Sequence, residues 1–404
     1  MGTLLCNARL VLENSILEGW LLVEKGKIQD FGPGEPTPGD HRVLDLGGCF
    51  LAPGFVELHT HGAGGADFMD GIPEAFERAS MTHLAHGTTT LLPTTLAAEK
   101  EEILESIWGF RAARETMKGR GPNLPGLHME GPYLNRDYCG AIDPKYIRNP
   151  EPEEYEQILS FGKGAIARWT VAVELPGMER FVRRLREEGI LPSLGHSGAE
   201  YCQVKESFGW GVTHVTHLYS AMSTIVRKGG FRHSGVLESA FCIPEMTAEV
   251  IADGCHLPPE LLELVWRVKG PERTALTCDS IRCAGQNVTE SVIGSLEKGQ
   301  RIIIEDGVAK MPDRSCFAGS IATDDRLVRT MYKTVGVPLW EAVRMMSLTP
   351  AQILGLGDRK GSIAPRKDAD LICFDGDIRI LGTMVDGRGL TGMFWEETVY
   401  EDTI

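Results

Sequence analysis

Between residues 53 and 360, short apolar runs alternate with segments whose apolar positions recur at helical spacing. FVELHTH, TTTLLPT, LPGLHMEG, ARWTVAVE, ILPSLGHSG, GVTHVTHLY, EVIADGCH and TALTCDS read as eight strands. Between them, Ile103, Leu104, Ile107 and Trp108 recur at i, i+3 or i+4, as do Phe181, Val182 and Leu185, and Leu261, Leu262, Val265 and Trp266. That is the period of one buried helix face. Eight such units over about 300 residues predict a (β/α)8 TIM-type barrel of the α/β class, with its chemistry at the C-terminal strand ends. The competing arrangement is an open doubly wound sheet, but no Gly-x-Gly-x-x-Gly follows the first strand to supply its nucleotide site.

The two ends of the chain have a different texture. LLCNARLVL, GWLLVEKGKIQDFG and HRVLDLGGCFLAPG are strand-like, with a Gly/Pro-rich connection, PGEPTPGD, before the last of them. GSIAPRKDADLICFD, RILGTMVDGRGL and FWEETVYED repeat this pattern at the C-terminus. We expect residues 1–52 and 361–404 to form one small composite β-sandwich around a barrel of residues 53–360.

Charge narrows the partners. The 404 residues carry 41 Lys and Arg against 56 Asp and Glu, a net charge of −15 with no basic stripe. Nucleic acid and anionic membrane surfaces are therefore not expected partners, and an anionic ligand must be held by local donors. The ten cysteines are scattered without a disulfide framework and read as reduced thiols. No secretory leader is evident at MGTLLCNARLVLENS, and no window approaches the ~20 apolar residues of a membrane span, so the expected location is cytoplasmic.

The polar residues at the strand ends carry the candidate chemistry. His59 and His61 alternate with Leu58 and Thr60, so a strand places both imidazoles, with Glu57, on one face. Glu130, His196, His217 and Asp279 fall at the ends of the third, fifth, sixth and eighth strands. Neutral imidazoles with carboxylates are the donor set of a divalent metal.

PGFVELHTHG, LHMEGPYLN, GHSGA, THLYSAM, IADGCH, LTCDS and FAGS occur in this order and resemble the N-acetylglucosamine-6-phosphate deacetylases of the amidohydrolase superfamily. The C-terminal LTPAQILGLGDRKGSIAPRKDADLICFD is similar too. The resemblance implies a metal held by Glu130, His196 and His217, and a second one on His59 and His61 bridged by Glu130. The metal, one or two per subunit, is expected to be zinc, with iron, manganese or nickel as alternatives. It further implies Asp279 as catalytic acid and base, and His256 as a sugar contact. Arg232, with Arg227 nearby, would hold the phosphate across a homodimer interface.

Departures from that family's pattern fall in the substrate loops. Ser220, followed by Ala221, stands where an asparagine is usual, and Ile142, after Ala141, where a histidine or glutamine approaches the sugar and the scissile carbonyl. Glu57 replaces a more common aspartate. Deacetylation of N-acetylglucosamine 6-phosphate is the leading expectation. The alternatives are N-acetylgalactosamine 6-phosphate or an unphosphorylated amino sugar, another amide such as an N-acyl-D-amino acid, and a metal-free scaffold. Of the remaining histidines, His214 is expected on the strand face opposite His217, and His128 beside Glu130 as a metal-site support or a buried residue. His41, His83 and His86 are expected at the surface or at helix ends.

Overall fold

A computed structural model describes residues 2–36 and 39–394. Its central feature is a parallel sheet of eight strands: β1 (Phe55–Thr60), β2 (Thr88–Thr95), β3 (Leu127–Glu130), β4 (Ile166–Val171), β5 (Leu191–Leu194), β6 (His214–Val215), β7 (Thr247–Ile251) and β8 (Thr274–Thr277). Each pairs with the next in chain order. The circuit closes between β8 and β1, where Asp279 N donates to His59 O at 3.0 Å and His61 N to Ser280 O at 2.8 Å. This is the TIM-type barrel the eight apolar runs predict. GVTHVTHLY supplies only a two-residue ladder at β6.

The strands read as runs of Thr, Leu and Val because both of their faces are covered. All eight residues of β2 are buried. The β1–β2 register slips between Glu57 and Thr60, opposite Pro93, which has no N–H to give the ladder.

The helices dock largely as their spacing predicts. Phe181, Val182 and Leu185 on the helix Met178–Glu187 are buried, with the Phe181 ring edge-on to Trp169 at 5.0 Å between centroids. On the helix Lys100–Thr116, Ile103 and Ile107 are buried, but Trp108 is 57% exposed and lies outside the docked face. Leu327, Val328 and Met331 face the interior.

Both ends of the chain join one eight-stranded sheet. Phe50–Pro53 pairs with Leu371–Phe374 on one side and with Thr3–Val11 on the other. Leu5, Leu10, Leu21, Leu51, Leu371 and Met384 pack into its own apolar core. After Phe394, the strand-like run FWEETVYED lies outside the described residues. A small antiparallel sheet (Glu290–Ile293, Gln300–Glu305, Val308–Lys310) follows β8, where no strand was expected. None of the described helices is long and apolar enough to cross a membrane.

Candidate active site

The C-terminal ends of β1, β3, β5, β6 and β8 deliver one cluster of donors. Glu130 is the last residue of β3, and His61 follows β1 directly. His196, His217 and Asp279 each stand two residues beyond their strand, at φ of 48°, 29° and 44°. Left-handed backbone costs a non-glycine residue about 1–3 kcal/mol and persists only where its surroundings hold it. Here the turn aims each side chain over the barrel mouth. At Asp279, Ser320 supplies the hold: its N donates to Asp279 O at 2.8 Å and its Oγ to Cys278 O at 2.5 Å.

Glu130 is the hub. Its Oε1 lies 3.3 Å from His59 Nε2, 3.2 Å from His196 Nε2 and 3.1 Å from His217 Nε2, and its Oε2 lies 3.2 Å from His61 Nε2. Asp279 Oδ1 is 3.4 Å from His59 Nε2 and 3.3 Å from His61 Nε2. The outer nitrogens of three rings have acceptors of their own. His59 Nδ1 faces Glu249 Oε1 at 3.1 Å, His61 Nδ1 faces Thr94 O at 3.3 Å, and His196 Nδ1 faces Tyr138 O at 2.8 Å. These Nδ1 atoms therefore carry the protons, and in the neutral rings the Nε2 lone pairs converge on two carboxylates.

Such a set of acceptors requires positive charge at its centre. Burial alone would lower the histidine pKa values, but Glu130 and Asp279 raise His59 to about 10 and His61 to about 9. Burial likewise opposes ionisation of Glu130, yet His59 and the other imidazoles hold its carboxyl well below the usual range. A divalent cation meets the same demand. His59, His61 and Asp279 form one group with mutually close donor atoms, and His59, Glu130 and His217 another. The donor set fits a divalent metal.

Residues beneath the cluster orient it. Glu249 joins His59 to Arg168, which reaches both of its oxygens at 2.7 and 3.0 Å with neither residue exposed. Glu249 also accepts from His217 N at 3.2 Å. On the β5 side, Glu174 accepts from Ser197 Oγ and Gly198 N, both at 2.6 Å, and fixes the turn after His196. Arg168 and Glu249 were not singled out from the sequence. The available signal was a charge inside each of the runs ARWTVAVE and EVIADGCH, which must find a partner once the strand is covered.

Two histidines depart from expectation, His214 and His83. His214 lies inside the barrel, 3.3 Å from Glu249 Oε2. Strand parity fails as a guide to its position relative to His217 because β6 ends at Val215 and His217 has left strand geometry. His83 sits in the last turn of its helix but is fully buried, 3.0 Å from Thr60 Oγ1 and 3.3 Å from Ser280 Oγ. His128 is the buried, satisfied histidine that was one of the two expectations for it. Its nitrogens face Thr94 and Thr170 hydroxyls, and its ring packs edge-on against His59 at 4.5 Å. By contrast His86 is at a helix end, paired with Asp325 at 3.0 Å. Glu57 stays beside the cluster, where its carboxylate accepts from Thr277 Oγ1 at 2.6 Å and Cys278 N at 2.8 Å.

The cluster opens into a cleft of about 400 Å³. Of the residues expected to bind substrate, Ala141, Ile142, Ser220, Ala221 and His256 line it. His256 Nδ1 faces Asp253 Oδ2 at 2.9 Å, leaving its other nitrogen available to a ligand. Arg227 and Arg232 are not brought to the cleft. They pair across an exposed hairpin, Val226–Lys228 with Phe231–His233, whose Lys228 and His233 are engaged by Glu200. No Lys or Arg lines the cleft among the described residues.

Comparisons with known proteins agree with this geometry. Residues 50–390 match the model of the amidohydrolase family. The chain is 30% identical over 383 residues to an N-acetylglucosamine-6-phosphate deacetylase of Bacillus subtilis, covering 94% of each chain. It is 28% identical to an N-acetylgalactosamine-6-phosphate deacetylase of Escherichia coli O157:H7, covering 92% of this chain and 96% of that one. A mutant N-acetyl-D-glucosamine-6-phosphate deacetylase of Mycobacterium smegmatis, solved in complex with N-acetyl-D-glucosamine-6-phosphate, superposes with a TM-score of 0.87 at 29% identity. That match covers 96% of this chain and 99% of the other.

Proposed function

Since the chain belongs to the amidohydrolase family, with N-acetylglucosamine-6-phosphate deacetylases among its relatives, we propose that it hydrolyses N-acetylglucosamine 6-phosphate to glucosamine 6-phosphate and acetate. The observation that carries this reading is the convergence of four imidazole Nε2 atoms on Glu130 beside Asp279, at the mouth of a barrel.

In this reading Glu130, His196 and His217 would hold one divalent ion, and His59 and His61, together with Glu130, would hold a second. Zinc suits the donors best, with iron, manganese or nickel as alternatives. Bound there, such an ion lowers the pKa of water toward neutrality and polarises a carbonyl. Asp279 accepts the proton of the attacking water and delivers it to the amine nitrogen as the C–N bond breaks. Burial would raise the Asp279 pKa, but His59 and His61 hold it low, so the group starts ionised and able to accept. His256, fixed by Asp253, contacts the sugar from the loop after β7, and Ser220 and Ala221 from the loop after β6.

One observation favours a second reading, an N-acetyl amino sugar without phosphate: no Lys or Arg lines the cleft among the described residues. Under the leading reading, Arg232, with Arg227 beside it, reaches the site of a second copy in a homodimer. We further assign 1–52 and 361–404 to a composite β-sandwich around the barrel of residues 53–360. The ten free cysteines support a cytoplasmic location.

The test is acetate release by the metal-loaded protein from N-acetylglucosamine 6-phosphate, its galactosamine epimer and both unphosphorylated sugars, with Asp279→Asn as control. Preference for a phosphorylated sugar, lost in the control, supports the leading reading. Equal turnover without phosphate supports the second, and no acetate from any of the four refutes both.

A further inference from the structure

Part of the cleft is lined by aliphatic side chains. Leu96 after β2, Ile142 after β3 and Ile293 in the small sheet after β8 all line it and are 9%, 6% and 6% exposed. Ser220, Ala221 and His256 line it from the loops after β6 and β7. In a circuit of eight strands, β6 and β7 stand opposite β2 and β3. Behind the apolar wall lies a second, much smaller pocket of about 40 Å³, bounded by the same Leu96, Ala141, Ile142 and Ile293. These four residues are the partition between the two spaces.

Leu96, Ile142 and Ile293 have no side-chain donor or acceptor, so a polar group placed against them would lose hydrogen bonds to water without replacement. A phosphate and the hydroxyl edge of a sugar ring are polar, whereas an acyl chain beyond its carbonyl is apolar on every side. Resting on the reading of this site as an N-acyl amino sugar hydrolase, we infer that the acyl chain faces this wall. The substrate class then includes N-acyl groups longer than acetyl, with Ile142 setting the limit on chain length. Two hydrogen bonds hold the wall's backbone in place: Ile142 N donates to Cys139 O at 3.0 Å, and the Gln300 side chain donates through Nε2 to Ala141 O at 2.8 Å. The room for a longer chain is therefore governed by the side chain at position 142. The reaction is unchanged: water adds its oxygen to the acyl carbon, the C–N bond breaks, and the proton goes to the amine.

The experiment compares N-acetyl, N-propanoyl, N-butanoyl and N-hexanoyl glucosamine 6-phosphate by release of free amine. Propanoyl and butanoyl substrates should match or exceed acetyl in kcat/KM, by up to about fourfold per added CH2. Ile142→Phe should lower the butanoyl-to-acetyl ratio by about tenfold, and Ile142→Ala should raise it by a similar factor and admit hexanoyl. Calorimetric binding of acetate, propanoate and butanoate to the metal-loaded protein should follow the same order without turnover. Release from the acetyl substrate alone, or a ratio unmoved in both variants, overturns the inference and leaves the deacetylase reading standing. Absence of amine from all four refutes the reading as a deacetylase of phosphorylated amino sugars. The carboxylate series then decides the inference by itself, and butanoate binding no tighter than acetate overturns it.

Discussion

His196 Nε2 and His217 Nε2 stand 3.1 Å apart, both turned toward Glu130 Oε1, while His196 Nδ1 is committed to the Tyr138 carbonyl. Lone pairs at that separation need a cation between or beside them. Chelation should therefore abolish hydrolysis and lower Tm, and restoring a divalent metal should reverse both. An ion present at about 1,000 times its Kd adds about 4 kcal/mol, a rise of several degrees in a calorimetric scan. A melting curve indifferent to chelation would contradict the assignment.

Glu249 is the support whose loss should be felt twice. Glu249→Gln removes the charge facing buried Arg168 and weakens the acceptor that orients His59. Breaking a buried pair from one side costs about 3–5 kcal/mol. Losing the outer partner of a metal-binding histidine typically weakens metal affinity by about 10–100-fold. Denaturant melts and metal titration measure the two effects separately, and wild-type values in both would remove Glu249 from this role.

Asp279→Asn should leave the fold and the turn intact, because Ser320 bonds the backbone carbonyls of Cys278 and Asp279 and not the carboxylate. An amide cannot take the proton of water, so kcat should fall by about 10²–10⁴-fold. Steady-state kinetics with a circular dichroism spectrum of the variant checks this, and retained kcat would exclude Asp279 as the base.

His83 makes a pH prediction. Burial pushes its pKa down to about 4, so the folded protein holds it neutral while the unfolded chain binds a proton near pH 6.5. Its contribution is fully present above pH 6.5 and is lost as pH falls toward 4, amounting to about 3 kcal/mol over that window. His83→Asn should flatten this part of the curve of unfolding free energy against pH. Equal slopes in both proteins would show that His83 does not titrate there.

The local pattern of the chain determined the barrel and where its polar residues fall. Strand and helix periods are set by neighbours in sequence, and β1 to β8 occupy the eight apolar runs. His59, His61, Glu130, His196, His217 and Asp279 were legible for the same reason, since a polar residue at the end of an apolar strand marks the barrel mouth.

Tertiary structure decided what those residues face. Arg168 and Glu249 are 81 residues apart in sequence, and nothing local to either specifies their pairing. His83 reads as a helix-end residue until Thr60 and Ser280 close over it. The positive φ values at His196, His217 and Asp279 suspend the alternation that strand reasoning uses, so side-chain direction there depends on contacts made across the barrel. Arg227 and Arg232 show the converse: proximity in sequence to THLYSAM left them on an exposed hairpin outside the cleft. Spacing along the chain specifies elements, whereas burial, charge pairing and aim arise from segments that meet only when the barrel closes.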